Sequence, residues 1–238
     1  MTFVHGKATR ILLDGLDVSA YLRQATTTVE ADTADTTTFA SAWKSAIGGT
    51  SGVVAEFDGL YDPGLVAIRN LLGSSTNGVV SVAPDGGAAI GALVRLLPAI
   101  SSSYVESSPV GGVIAFKWGV KAGDRAGYGA MLHPLAEDTN TTTGADRDDA
   151  AATSTGWQAH LHVAAVDAGS WVIKLQDAAT TDWTDVAGGA FTAATGATGQ
   201  RLQSAAGATL RRHVRYVATR TGGTAGDGIT FALAYARA

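Results

Sequence analysis

The chain has 238 residues, 46% hydrophobic but only 7% aromatic and 16% charged, with a net charge of −4 at pH 7 and no cysteine. That length holds one large β-domain or two smaller ones, and the missing cysteine excludes a disulfide framework, a thiolate metal site and a cysteine nucleophile. The acidic balance argues against general nucleic-acid affinity, which needs a basic stripe; a charge content below the usual value of about 25% suits either a surface covered by other subunits or a high-GC genome, which inflates Ala, Gly, Thr and Asp.

In chain order, the amino terminus MTFVHGKATRILLDG lacks the basic segment, apolar core and cleavage site of a signal peptide. No stretch approaches the ~18 consecutive apolar residues of a membrane helix, so a soluble product made in the cytoplasm is expected. A first strand is predicted from Ala8 to Leu13, closed by the turn Asp14-Gly15 and followed by the apolar group Leu16, Val18, Tyr21 and Leu22. The β-branched run Thr26 to Ala31 predicts a strand and Asp32 to Gly52 a polar loop, after which Val53 to Phe57 resumes as a strand that stops at Asp58-Gly59. Asp62-Pro63 caps a short helix over 64–72, with Leu65, Ile68, Leu71 and Leu72 as its apolar stripe and Gly73 as its stop. Strands follow near 78–83, 89–100 and 112–121, the first two joined by Asp85-Gly86-Gly87.

Residues 1–136 carry nine basic and eleven acidic side chains, a net of −2; 137–149 carry one and five, a net of −4; 150–238 carry seven and five, a net of +2. The middle stretch has no large apolar residue and reads as a solvated connector or long loop. The expected organisation is a first domain over 1–136, an acidic connector over 137–152 and a second β-domain over 153–238. Six strands are predicted in the latter, near 157–163, 171–176, 183–186, 200–205, 211–219 and 228–236, at the spacing of a sandwich or jelly roll. In the last of them Ile229, Phe231, Leu233 and Tyr235 share one face.

Little of this carries chemistry. His160 and His162 share a strand face at a spacing some metal sites use, but a third ligand is missing, and solvent-side histidines on an alternating strand are the simpler expectation. The run Gly222 to Gly228 is a single copy of a calcium- or phosphate-loop-like pattern and reads as a hairpin loop. Asp14/Asp17 and Asp32/Asp35 are paired carboxylates at turns, where such groups serve backbone amides. There is no Gly-x-Ser-x-Gly elbow and no His-Glu-x-x-His, so no enzyme, cofactor or metal site is expected. Trp157 and Trp171 are expected to anchor the core, whereas Trp183, in a polar Thr-Thr-Asp-Trp-Thr-Asp context, is the aromatic expected at the surface, where it could stack on a sugar ring. Arg211, Arg212, Arg215 and Arg220 form a basic cluster, with Arg211, His213 and Arg215 sharing a strand face. It reads as a polar solvent face or as an inter-subunit partner for acidic loops such as 146–149.

Several of these motifs together resemble the amino-terminal region of siphophage tail tube (major tail) proteins: Asp14-Gly15, the segment Asp17-Val18-Ser19-Ala20-Tyr21-Leu22, Thr36-Thr37-Thr38-Phe39, Trp43-Lys44 and Phe57-Asp58-Gly59. The likeness covers residues 8–63 well and 64–136 loosely. It departs from the family pattern at Ala40, where many relatives have glycine, and at Gly49-Thr50. The second part, with Trp-Thr-Asp at 183–185, resembles the β-sandwich domains appended to actinophage tail proteins. The resemblance implies a mainly β fold, a tail-tube barrel or sandwich with one short helix followed by a jelly-roll-like sandwich. It implies a structural virion protein, assembled in the host cytoplasm, whose rings, usually of six copies, stack into the hollow tube of a long non-contractile tail. DNA would pass through the lumen without specific binding, and the tape-measure, tail terminator and distal tail proteins would be partners. Thr36, Thr37, Thr38, Phe39, Trp43 and Lys44 would lie between rings or subunits. Another ring-forming component, such as a distal-tail or baseplate-hub protein, or a carbohydrate-binding tail module built on Trp183, would share much of this pattern, and a duplicated tube fold would allow three copies per ring.

Overall fold

The computed structural model describes residues 6–38, 43–63, 68 and 78–237. These residues form sixteen strands and two 3₁₀ turns, a mainly β protein as the sequence predicts. In the first half the strands are β1 (Arg10–Leu13), β2 (Leu16–Asp17), β3 (Leu22–Asp35), β4 (Ala46–Leu60), β5 (Gly78–Ala83), β6 (Leu93–Ser107), β7 (Ala115–Ala122) and β8 (Gly127–Asp138). The rest are β9 (Thr142–Thr143), β10 (Arg147–Asp148), β11 (Trp157–Val166), β12 (Ser170–Ala178), β13 (Thr184–Ala190), β14 (Thr198–Gln203), β15 (His213–Thr221) and β16 (Ile229–Arg237).

Eleven strands make one sheet in the order β14-β11-β16-β8-β6-β5-β1-β2, with β7 on β6, β4 on β7 and β3 on β4. The remaining five form a second sheet, β10-β15-β12-β13, with β9 also on β15. The large sheet curls, so that its two faces enclose three cores. Ile11, Leu13, Val80, Leu97, Phe57, Phe116 and Trp118 fill the first, between β1-β5-β6 and β4-β7. Trp157, Leu161, Trp171, Ile173, Phe231 and Leu233 fill another, between β8-β16-β11 and the second sheet. Ile229, Phe231, Leu233 and Tyr235 share that core, as their alternation predicts, and Trp157 and Trp171 anchor it. The third core lies on one face of β6, β8 and β16, where Val94, Leu96 and Met131 pack with Ala232, Ala234, Ala236 and Leu12 of β1. Small side chains there let two β-layers approach closely.

Asp14 (φ 47°) and Gly15 (φ 93°) both take positive φ, the conformation of a two-residue hairpin turn that twists with its strands. The turn rests on β11 and β14: a Cβ on Gly15 would collide with the Val163 carbonyl oxygen and come within 2.9 Å of that of Thr198. Gly15→Ala combines backbone strain with a contact that only backbone movement can relieve. It is expected to cost at least about 2 kcal/mol, read as a fall in unfolding free energy; an unchanged denaturation midpoint would contradict this packing.

The structure corrects several expectations. The polar loop 32–52 is largely strand, because β3 continues to Asp35 and β4 begins at Ala46, each satisfying the other's backbone groups. Asp58-Gly59 does not end β4, which runs to Leu60; Gly59 is needed because a Cβ would meet the Tyr21 carbonyl oxygen at 2.5 Å and the Phe116 ring at 2.7 Å. The helix predicted over 64–72 lies outside the described residues except for Ile68, which is helical and buried. The sequence reading has no strand at β8, yet β8 joins β6 to β16, so backbone pairing runs across position 136. Residues 222–228 do not close a hairpin: they cross from β15 in one sheet to β16 in the other, with Arg220 holding the carbonyls of Thr224 (2.6 Å) and Asp227 (2.8 Å).

The acidic stretch 137–149, though largely exposed, is not free of the sheets. It contributes β9 and β10 to β15 and places its carboxylates on arginines of the same chain. Asp148 pairs with Arg212, Asp146 with His213 (2.9 Å), and Asp149 with both Arg147 (2.8 Å) and Arg237 (2.7 Å). Arg211 precedes β15 and reaches Asp177 (2.8 Å) and Asp182 (2.6 Å), so it does not share a strand face with His213 and Arg215. The basic cluster is thereby engaged within its own chain, not held out for an acidic loop of another. No helix among the described residues is long and apolar enough to cross a membrane.

Candidate self-assembly surface

Strands β3, β4, β7 and β6 form an antiparallel four-stranded unit at one end of the large sheet. One face is the first core; inward-pointing Ala55 and Phe57 on β4 and Phe116, Trp118 and Val120 on β7 alternate with outward Glu56, Asp58, Lys117 and Lys121. No described residue covers the outward face. Gln24, Thr26, Glu56, Asp58, Lys117 and Ser103 line a shallow trough of about 280 Å³ on it.

Both edges of this unit are open among the described residues. β3 pairs with β4 alone over its full length, and beyond Ala99 β6 pairs with β7 alone. Successive antiparallel pairing makes β3 and β6 run in opposite directions. Two exposed edges of such length are a template for another chain.

β3 and β4 also overshoot the unit. β7 covers β4 only from Val54 onward, so the stretch from Ala46 to Val53 pairs with β3 alone and projects roughly 25 Å at 3.3 Å per residue. This arm is exposed on both faces, with Val29 (54%) and Ile47 (60%) bare. A two-stranded ribbon of this kind is marginal in water by itself. Of the residues expected between rings, Thr36 and Thr37 tie the arm's end together: the Thr36 amide donates to the Ser45 carbonyl (2.9 Å) and the Ser45 amide to Thr37 Oγ1 (3.0 Å). Asp35 accepts from the Thr37 amide (2.8 Å), and its pKa is lowered by the Thr37 hydroxyl and amide. Thr38 and Lys44 are exposed and Trp43 is 86% exposed, while Phe39 lies outside the described residues.

A second exposed apolar group occupies the β6–β7 turn. Val110 is fully exposed, Val113 67% and Ile114 38%. The Gly112 amide closes the turn on the Pro109 carbonyl (3.2 Å) and the Ile114 carbonyl accepts from the Tyr61 amide (3.0 Å). Val113 and Ile114 fall within the strand predicted over 112–121 but precede β7, which begins at Ala115; three branched apolar residues around Gly111-Gly112 mark the turn as a contact in the sequence.

The other singled-out residues do not form a ligand site. Trp183 is half-buried, with the Arg215 guanidinium 4.0 Å from its ring centre; Arg215 is held in turn by Gln176 Oε1 (2.9 Å), so this face of the indole is occupied. His160 and His162 do not face solvent. Both are buried under the β1–β2 turn, joined through Ser81: the Gly15 amide donates to His162 Nδ1 (3.3 Å), His162 Nε2 lies 2.8 Å from Ser81 Oγ, and Ser81 Oγ lies 3.2 Å from His160 Nδ1. Since His162 Nδ1 accepts from the Gly15 amide, the neutral ring carries its proton on Nε2, where it faces Ser81 Oγ. Burial pushes His162 down to about 3, and burial followed by the charge of His162 pushes His160 well below its usual value. Among the described residues no group of three or more His, Cys, Asp or Glu is placed to hold a metal ion. Of the paired turn carboxylates, Asp14 accepts from the Val79 amide (2.7 Å) and Asp17 from the Ser19 amide (3.0 Å).

No protein-family model and no curated protein matches the chain. Among solved structures it is similar to a chain of the virion of a native gene transfer agent particle, with 18% identity over 53% of this chain and 98% of that one and a TM-score of 0.45. It is similar to the tail of an empty gene transfer agent particle, with C6 symmetry, at 16% identity, the same coverage and a TM-score of 0.43. It is also similar to the phage SPP1 Dit protein, a hub of the adsorption apparatus, at 11% identity over 96% of this chain and 98% of that one, with a TM-score of 0.38.

Proposed function

We propose that the chain is a phage tail-tube subunit that assembles side by side into rings, the rings stacking into a hollow tube. The observation that carries this reading is the four-stranded unit with two open edges running in opposite directions. When copies are related by rotation about one axis, β6 of one stands antiparallel to β3 of the next. Edge pairing then continues around the ring until it closes, which removes every exposed edge. The core face must point outward, where the rest of each subunit lies, so the uncovered face lines the lumen.

That face suits a conduit. Its charges, Glu56, Asp58, Lys117 and Lys121, balance, and Gln24, Thr26 and Ser103 fill the spaces between them. Without a basic excess it gives DNA no counterion-release binding, so DNA slides. Six copies, the number implied by the resemblance, would give about two dozen strands, more than the 16–18 that leave an aqueous channel in porins. The arm projects along the strands past the unit and so reaches the next ring, bringing Trp43 and Lys44 to it. On this reading Thr36 and Thr37 brace the arm's tip.

Negative-stain imaging of the purified full chain at rising concentration tests the proposal. Rings and tubes are expected. A variant in which a tight Asn-Gly turn replaces residues 32–50 is expected to give single rings that do not stack. A chain that stays monomeric at millimolar concentration, or an armless variant that still stacks, would overturn it.

A further inference from the structure

Register across the four-stranded unit places two dissimilar surfaces at the same end of the sheet, on opposite edges. One cross-strand row runs Leu22–Gly59–Phe116–Glu106, and the next runs Gln24–Asp58–Lys117–Val105. The end of β6 therefore stands level with the beginning of β3. Beyond the end of β6 projects the apolar turn bearing Val110 and Val113, both left exposed by the described residues. Beside the beginning of β3 lies an open cleft of about 580 Å³, lined by Lys7, Thr9, Ile11, Leu22, Arg23 and Ala25. That is within the ~300–1,000 Å³ of clefts that take up a ligand-sized group. One edge carries a knob and the other a socket, and a chain cannot bring its own two edges together.

The charges agree. Arg23, at the socket, is exposed and makes no ion pair among the described residues, and Glu106, in the row that ends at Leu22, is exposed and held only by the Tyr104 hydroxyl (2.8 Å). Placed next to each other, edge to edge, the free cation of one copy meets the carboxylate of the next.

We infer that the occupant of the cleft is the Pro109–Ile114 turn of a second copy of this chain, with Glu106 of that copy paired to Arg23. The contact is heterologous: each copy offers its knob to one neighbour and its socket to the other, so every copy in a closed ring has both filled. This rests on the ring reading and adds to it, because edge pairing alone leaves the register between copies free to slip by two residues. A knob in a socket fixes that register, and with it the stagger that sets the ring's closure.

The experiment uses the full-length chain. Val110→Asp/Val113→Asp is expected to raise the concentration for half-assembly, measured by sedimentation velocity, at least ten-fold. Its circular dichroism should be unchanged, since both side chains are exposed in the single chain. Arg23→Glu and Glu106→Arg are each expected to raise it at least three-fold, and the double reversal R23E/E106R to return it to within two-fold of the wild type. Wild-type rings together with variants that assemble normally, or a double reversal no better than either single change, would overturn the inference and leave the ring reading standing. A wild type that never leaves the monomer would overturn both.

Discussion

Replacing Asp149 with alanine is expected to lower the unfolding free energy by about 3–5 kcal/mol, the cost of stripping the counter-charge from a partly buried ion cluster. The Asp149 carboxylate is only 11% exposed and accepts from Arg147 Nε, Arg237 Nε and the Tyr235 hydroxyl. Arg237 is committed elsewhere as well: its Nη atoms donate to the carbonyls of Ala151 (2.7 Å) and Arg211 (2.7 Å), which fixes the chain after β10 and before β15. Without Asp149 two guanidiniums remain in place with no anion between them, and the edge of the second sheet loses its tie to β16. Asn at this position keeps the volume but not the charge and should recover little. The exposed pair Lys174–Asp185 provides the contrast: Asp185→Ala removes a contact of 2.7 Å but should cost no more than about 1 kcal/mol, because water screens it. Urea denaturation of the three variants checks the order; equal midpoints for D149A and D185A would contradict the buried cluster.

Acid should weaken the fold well above the carboxylate range. His160 and His162 are held neutral when folded, with His162 pushed down to about 3 by burial, whereas in the unfolded chain both titrate near 6.5. Above pH 6.5 neither state binds the proton, and stability is complete. As pH falls below 6.5 the unfolded chain takes up protons that the folded chain refuses, so stability is lost progressively toward the folded value. At pH 5 His162 costs about 2 kcal/mol, and His160 acts in the same direction. Asp14, whose pKa burial raises against the effect of the Val79 amide, works in the opposite direction: as pH falls toward the ordinary carboxylate value the folded chain takes up this proton first and gains stability. The exposed aspartates with lowered values, such as Asp35 and Asp185, add acid sensitivity only there. The window between pH 6.5 and 5 therefore reports on the histidines. His162→Gln should remove about half of the slope in that window. A wild-type stability flat from pH 6.5 to 5 would show that the two rings are reached by water.

What was legible in the sequence was whatever local chemistry dictates. Asp14-Gly15 predicted its turn because only residues tolerant of positive φ serve there, and Ile229 to Tyr235 predicted a strand face because the alternation is unbroken. β8 was hidden by Gly127, Gly129 and Pro134, which punctuate loops in a sequence. Here Gly127 and Gly129 are required by β16, since a Cβ on either would meet Ala236 or the Tyr235 backbone, and Pro134 falls at a register shift in the β8–β16 pairing. The face of His160 and His162 was misread because alternation gives the period of a strand but not which faces another layer covers. The polar arm looked like a loop because it has almost nothing to bury, and a ladder between two strands needs no core to satisfy its amides. Trp43 and Lys44 could be marked from composition, whereas Arg23, Glu106 and the cleft between Thr9 and Ala25 depend on which strands end side by side.

The alanine-lined seam under β16 has a mechanical consequence. Ala232, Ala234 and Ala236 bring two β-layers together across side chains with no rotamers to rearrange, while β16 is hydrogen-bonded on one side to β8 and on the other to β11. A sideways load on the sandwich built around Trp157 and Trp171 passes into the rest of the large sheet through the backbone ladders on both sides of β16 and the packed alanine face. The two layers deflect together, as the flanges of a beam do, and stiffness grows much faster than thickness in such a section.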